Sequence, residues 1–285
     1  MFRTGSALSR FAFIGVFSTT MLGCGASSSP GTDAVSTEQL SQFHPTPNDL
    51  RLVSGMRIAF GHQSVGADII AGLVTLSNEG NAPIFVVEST SATNRPAIQH
   101  FLVGTNGDPE SKLTDFANVM VTGVGGSVDI AMLKLCYIDF NQRTDPAQLA
   151  RKYISEIDSL SARFPATTFV AVTVPLTTVQ KGPKALVKRI LGRLPAGYLE
   201  NAQRQVFNDV LREHYAGSNR MFDIAALESD NGKHAVDIDG KHVPVLNPTL
   251  TYDGGHLNDA GKRLVAGALI RQLATLSKQP PVEQE

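Results

Sequence analysis

Apolar positions along the chain fall in short blocks whose spacing switches between strand and helix periods. Residues 56–60 form a compact β-prone run. Residues 67–76 then set Ile69, Ile70, Leu73, Val74 and Leu76 at helical spacing. A second apolar run at 84–87 predicts a buried strand. A polar loop is expected over 89–111, then a helix over 112–120. Residues 128–140 are the longest strand candidate, followed by an amphipathic helix over 147–164 and a fourth strand over 168–174. A helix over 201–215, a short fifth strand over 220–224 and a closing helix over 259–276 complete the pattern. Asp237-Ile238-Asp239-Gly240 predicts a hairpin with Asp239-Gly240 at its tip. Strands alternating with helices in this way predict an open, mostly parallel, doubly wound sheet in one domain. Such sheets bind ligands at the carboxyl ends of their strands.

Two blocks carry candidate chemistry at those ends. The first strand runs into His62-Gln63-Ser64-Val65-Gly66. Ser64 would open a helix there, beside unpaired backbone N–H groups and the positive end of the helix dipole. Taken alone, it reads as a helix cap. The second block is Tyr252-Asp253-Gly254-Gly255-His256-Leu257-Asn258, just before the last helix. An Asp three residues before a His in a Gly-rich loop can accept from one ring nitrogen and leave the other free as a base. Asn258 is a natural N-cap for the helix that follows.

Ser64 after the first strand, together with Asp253-x-x-His256-Leu257-Asn258, resembles the SGNH/GDSL hydrolase superfamily. The resemblance implies a flavodoxin-like three-layer α/β/α sandwich with a mostly parallel five-stranded sheet. It implies ester hydrolysis through a Ser-His-Asp triad, with Ser64 as nucleophile, His256 as general base and acid, and Asp253 as its orienter. It implies no cofactor and no metal. Gly107, in Gly104-Thr105-Asn106-Gly107-Asp108, matches the family's oxyanion-hole glycine, beside the Ser64 amide. Two departures mark a divergent branch: His62-Gln63-Ser64 replaces Gly-Asp-Ser, and Ile138 stands where an oxyanion-binding Asn is usual. Ile cannot donate a hydrogen bond. Asn106 is the first choice of substitute donor, with Tyr137 and Asn141 as alternatives. His62-x-Ser64-x-Gly66 is also one residue away from the α/β-hydrolase elbow. In that fold several strands precede the nucleophile, and here only one does.

The amino end adds a location. Arg3 and Arg10 precede an apolar run over 11–17 that is too short to span a bilayer and fits a secretory signal. It ends at Met21-Leu22-Gly23-Cys24, which resembles the bacterial lipoprotein box. The expected organisation is a signal peptide over 1–23, lipidation at Cys24, a flexible tether over 24–42, the hydrolase-like domain over 43–276 and a disordered tail over 277–285. The expected location is the bacterial cell envelope, lipid-anchored to membrane. With Cys24 acylated, Cys136 has no disulfide partner.

Composition narrows the choice of partner. Net charge is −1, with 25 Lys+Arg against 26 Asp+Glu. This excess of neither sign argues against nucleic acid. There is no Trp, which argues against an aromatic-lined sugar groove. The expected substrate is a small-molecule, glycan or lipid ester. The alternative is a non-catalytic envelope lipoprotein that uses the fold to bind a glycan or a partner. Within this neutral chain, residues 181–194 mix Lys184, Lys188 and Arg189 with Leu186, Val187, Ile190 and Leu191. They predict a basic amphipathic helix after the fourth strand, either an ordinary packed helix or a surface that meets acyl chains.

Overall fold

The computed structural model describes residues 37–277. The predicted signal peptide, the Cys24 lipidation site, the tether up to residue 36 and the tail from 278 lie outside them. In chain order the elements are α1 (Thr37–Gln42), α2 (Pro47–Ser54), β1 (Arg57–His62), α3 (Ser64–Glu79), β2 (Val86–Glu88), β3 (Ala97–Leu102), α4 (Pro109–Val119), β4 (Ile130–Leu133), α5 (Pro146–Arg163), β5 (Thr168–Val172), α6 (Pro183–Ile190), α7 (Tyr198–His214), β6 (Met221–Phe222), α8 (Ile224–Glu228), β7 (Ala235–Ile238), β8 (Lys241–Pro244) and α9 (Asp259–Leu276). All belong to one compact unit, Asp33–Glu285. That unit holds every described element and the apolar cores on both faces of its sheet, so it carries what it needs to fold alone.

Six strands form a parallel sheet in the order β2-β3-β1-β4-β5-β6. Without the edge strand β2, this is the flavodoxin-like order, and its reversal point falls at β1. Strand alternation divides the core. Ile58, Phe60, Ile130, Met132, Val170 and Val172 face α3 and α9, whereas Ala59, Ala131, Leu133, Phe169 and Ala171 face α4, α5 and α7. β7 and β8 make a separate antiparallel hairpin. Asp239 and Gly240 at its tip have φ of 51° and 75°, as a tight hairpin turn requires.

The sheet departs from the expected five strands in three places. β3 lies where a polar loop was expected. Its AIQHFL sequence breaks apolar alternation with Gln99, which is buried and donates its amide to Ser89 O at 2.9 Å. The run at 84–87 is not a buried strand: β2 is a short edge strand, half-buried at Val86 and Val87 and exposed at Glu88. The run at 128–140 stops as a strand at Leu133, and Tyr137–Asp139 is a 3₁₀ turn. Asp139 causes that turn by accepting the Cys136 N–H at 2.7 Å. Tyr137 and Ile138 therefore do not alternate across a strand. At the amino end, α1 forms inside the segment expected to be a tether.

Candidate active site

At the carboxyl ends of β1, β3, β4 and β5, the first loop bonds to the second, the second to the third, and the loop after β5 to the His256 loop. Ser64 is the first residue of α3. Gln63 before it provides no side-chain cap, which leaves N–H groups of the first turn without partners. Gln63 instead spends its amide on the next loop, donating to Val103 O at 2.8 Å and Gly104 O at 3.1 Å. This joins the Ser64 turn to the loop after β3. Ser64 is half-buried, and its hydroxyl makes no hydrogen bond.

Asp253 folds back on its own loop. Its Oδ1 accepts the Gly255 and His256 N–H groups at 2.9 and 2.8 Å, and its Oδ2 accepts from His256 Nδ1 at 2.6 Å. A carboxylate can only accept, so the ring proton sits on Nδ1 and Nε2 keeps its lone pair. Burial would raise the Asp253 pKa, but the bonds from His256 and Gly255 outweigh it and hold the carboxyl at about 2. Asp253 is thus a lasting anion beside the imidazole.

Asp68 fixes this loop against α3. One turn beyond Ser64, it accepts the Leu257 N–H at 3.1 Å. Asn258 caps α9 by accepting from Gly261 N at 3.0 Å. Thr178, in the loop after β5, donates its N–H to Gly254 O at 2.8 Å. His256 lies between two tyrosines. Tyr252 is parallel to it at 6.0 Å, and Tyr137 meets it edge-on at 5.8 Å. Tyr137 Oη lies 3.5 Å from His256 Nε2, at the limit of a hydrogen bond. Burial, with the Asp253 charge, raises the Tyr137 pKa, so its hydroxyl stays protonated as a donor. No hydrogen bond joins Ser64 to His256. In unliganded hydrolases such bonds are commonly open and tighten around substrate.

The loop after β3 is set by an ion pair that the sequence did not reveal. Lys112 and Asp139 are fully buried, with Nζ at 2.7 and 2.8 Å from the two carboxylate oxygens. Lys112 also donates to Asn106 Oδ1 at 3.0 Å. Because an ammonium only donates, Asn106 must turn its oxygen inward, which leaves its NH₂ to face elsewhere. Gly107 donates its N–H to Asp139 Oδ1 at 3.0 Å. In this arrangement that amide is engaged and not free for an oxyanion. With φ of 87°, Gly107 serves the loop turn itself. Asn141 closes a local turn, accepting the Arg143 N–H at 2.9 Å. Ile138 is 52% exposed and contacts no site residue by hydrogen bond.

His62 orders the Ser64 turn from beneath. It is 1% exposed. Nδ1 donates to Gln63 O at 3.1 Å, and Nε2 accepts from His100 Nδ1 at 3.1 Å. Neither ring nitrogen is left for substrate. A Cβ on Gly66 would lie 2.3 Å from His62 Cγ. The close approach there is therefore by the imidazole, not by passing backbone. Burial lowers the His62 pKa to about 4. The unfolded chain titrates near 6.5, so it binds the proton more tightly than the fold does between those values. Stability from neutral His62 is complete above pH 6.5 and is lost as pH falls toward 4, by at most about 3 kcal/mol. Thermal melts from about pH 7 to about pH 4.5 should show this loss, and His62→Asn should flatten it. Parallel slopes for the two proteins would remove His62 from the account.

Lys134 is fully buried and donates to Leu135 O at 3.1 Å. Nearby Glu228 is raised to about 8, chiefly by burial. No group of His, Cys, Asp and Glu among the described residues has the arrangement of a metal site.

No family model matches the chain, and no curated protein matches it. Solved structures do. A protein described as a platelet activating factor from Streptococcus pneumoniae aligns with TM-score 0.46 and 15% identity, covering 83% of this chain and 91% of its own. A member of the lipolytic protein G-D-S-L family from Veillonella parvula DSM 2008 aligns with TM-score 0.40 and 17% identity, covering 74% and 94%. Likeness at this level assigns no chemistry to this chain, whose fold rests on its own strand order. In structure, the chain is similar to lipolytic proteins of the G-D-S-L family.

Proposed function

We propose that the chain is a serine ester hydrolase. Ser64 Oγ attacks the ester carbonyl while His256 Nε2 takes its proton. The imidazolium, held by Asp253, then protonates the leaving alcohol, and an acyl group remains on Ser64. Water activated by the same nitrogen releases the acid. The observation that carries this reading is the Asp253–His256 pair at 2.6 Å, tied through Asp68 to the first turn of the helix that Ser64 opens. The Ser64 N–H and the Asn106 side-chain NH₂ are the proposed oxyanion donors. Tyr137 is the next choice, since its hydroxyl already faces His256.

A fluorophosphonate probe tests the nucleophile, with labelling expected at Ser64 alone. An unlabelled, folded protein that hydrolyses no member of an ester panel would favour the non-catalytic binding reading. Asn106→Ala tests the donor. It should lower kcat by about 10²–10³-fold at nearly unchanged KM, as loss of one oxyanion donor does. An unchanged kcat would move the search to Tyr137→Phe. A lipid anchor on Cys24, and with it an envelope location, belongs to the same proposal. Mass spectrometry of the native protein should find a mature chain beginning at an acylated Cys24. No helix among the described residues is long and apolar enough to cross a membrane.

A further inference from the structure

Beside the site, the loop after β5 makes an excursion whose amphipathy is inverted. The chain leaves the loop after β5 at Gln180 and returns at Ala196, and Gln180 N donates to Ala196 O at 3.0 Å across the neck. Within it, α6 turns Ala185 inward. Leu186, Val187, Ile190 and Leu191 are 59, 54, 75 and 65% exposed. A helix that belonged only to this domain would face such residues toward the core. Exposed large apolar side chains are otherwise scattered singly over the described surface, but here they are contiguous, and contiguous patches mark interaction surfaces.

Charge identifies the occupant. From Lys181 to Leu199 the sequence has five cations, Lys181, Lys184, Lys188, Arg189 and Arg193, and no acid, in a chain of net charge −1. Lys181, Lys184 and Arg193 are exposed around the apolar face. An apolar stripe rimmed by cations complements one environment on both counts: an anionic phospholipid surface, with acyl chains beneath phosphates. A second copy of this near-neutral chain would account for the apolar face but not for the uniform charge.

We infer that α6 docks the domain onto an anionic bilayer. Its apolar face enters the headgroup boundary, and Lys181, Lys184 and Arg193 beside it meet lipid phosphates. The neck of the excursion touches the site, because Thr178, two residues before Gln180, donates to Gly254, two residues before His256. Docking therefore sets the His256 loop at the membrane surface. If the hydrolase reading above holds, the substrate is an ester resident in that surface.

The test is flotation of the chain from Asp33 onward, which lacks the amino-terminal segment, with vesicles of phosphatidylcholine alone or with about one-third phosphatidylglycerol. Strong binding is expected only with phosphatidylglycerol. Leu186→Asp/Ile190→Asp and, separately, Lys181→Glu/Lys184→Glu should each weaken it about tenfold or more. Raised salt should weaken the wild type. None of these residues belongs to the catalytic machinery, so circular dichroism and fluorophosphonate labelling of Ser64 should match wild type, which keeps a folding defect distinct from a docking defect. Equal binding to both vesicles, or no binding, overturns the inference. So does a wild-type dimer in light scattering that Leu186→Asp/Ile190→Asp turns into monomer without any vesicle binding. The vesicle result does not depend on activity, so failure of the hydrolase reading would appear separately, as an unlabelled Ser64.

Discussion

Ser64→Ala should abolish ester turnover, lowering kcat by about 10⁴-fold or more, while the protein stays as stable as wild type. The two halves of that expectation have separate causes. The Ser64 hydroxyl makes no hydrogen bond, and the residue occupies the first position of α3, where Ala is an excellent helix former. Removing the hydroxyl therefore leaves no orphaned partner and no sizeable cavity. The catalytic loss is large because the nucleophile has no neighbour that can replace it. His256→Ala should cost nearly as much, and the double variant little more than either alone, since the parts act as a unit. Steady-state kinetics on the best ester of a panel decide the matter. Wild-type turnover by a folded Ser64→Ala protein would end the triad reading.

Lys112→Met should be the most destabilising single change near the site, by about 3–5 kcal/mol. It would strand the Asp139 carboxylate, fully buried, with only the Gly107 and Cys136 amides for company. A chain of this size should lose about 10 °C in Tm. Denaturant midpoints and melts measure it. Asp139→Asn separates charge from hydrogen bonding, since its amide oxygen can still accept one of those N–H groups. It should fall between wild type and Lys112→Met. A Lys112→Met protein that melts with wild type would show that the ion pair does not hold the two loops.

What the sequence made legible was local. Asp253, His256 and Asn258 find their partners within a few residues, so the spacing of one heptapeptide was enough to place them. Helices such as α4, α5 and α9 carried their own caps and periods, and α9 spans the residues its apolar pattern marks. Legibility failed wherever a polar residue was satisfied at a distance. Gln99 reads as loop because nothing nearby reveals that Ser89 O will take its amide, and so the central neighbour of β1 was missed. The apolar run after Val128 reads as one strand because only Asp139, folding back on Cys136, ends it. Lys112 and Asp139 are 27 residues apart, and no local pattern pairs them. Yet that pair decides that the Asn106 amide turns its oxygen inward. Gln63, standing where an Asp is usual, is the residue from which the link to the neighbouring loop could have been read. A neutral amide there can donate to carbonyls, which a carboxylate cannot.

The pinch between Gln180 and Ala196 has a consequence for how this protein can change. A detour that begins and ends at one hydrogen-bonded pair can lengthen, shorten or be exchanged with little effect on the sheet, because closing a loop costs only slowly more as it grows. Helix α6 is in that sense a cassette. Replacing residues 181–195 by a short turn should leave the fold standing, and seating another recognition segment there would send the same chemistry to a different address.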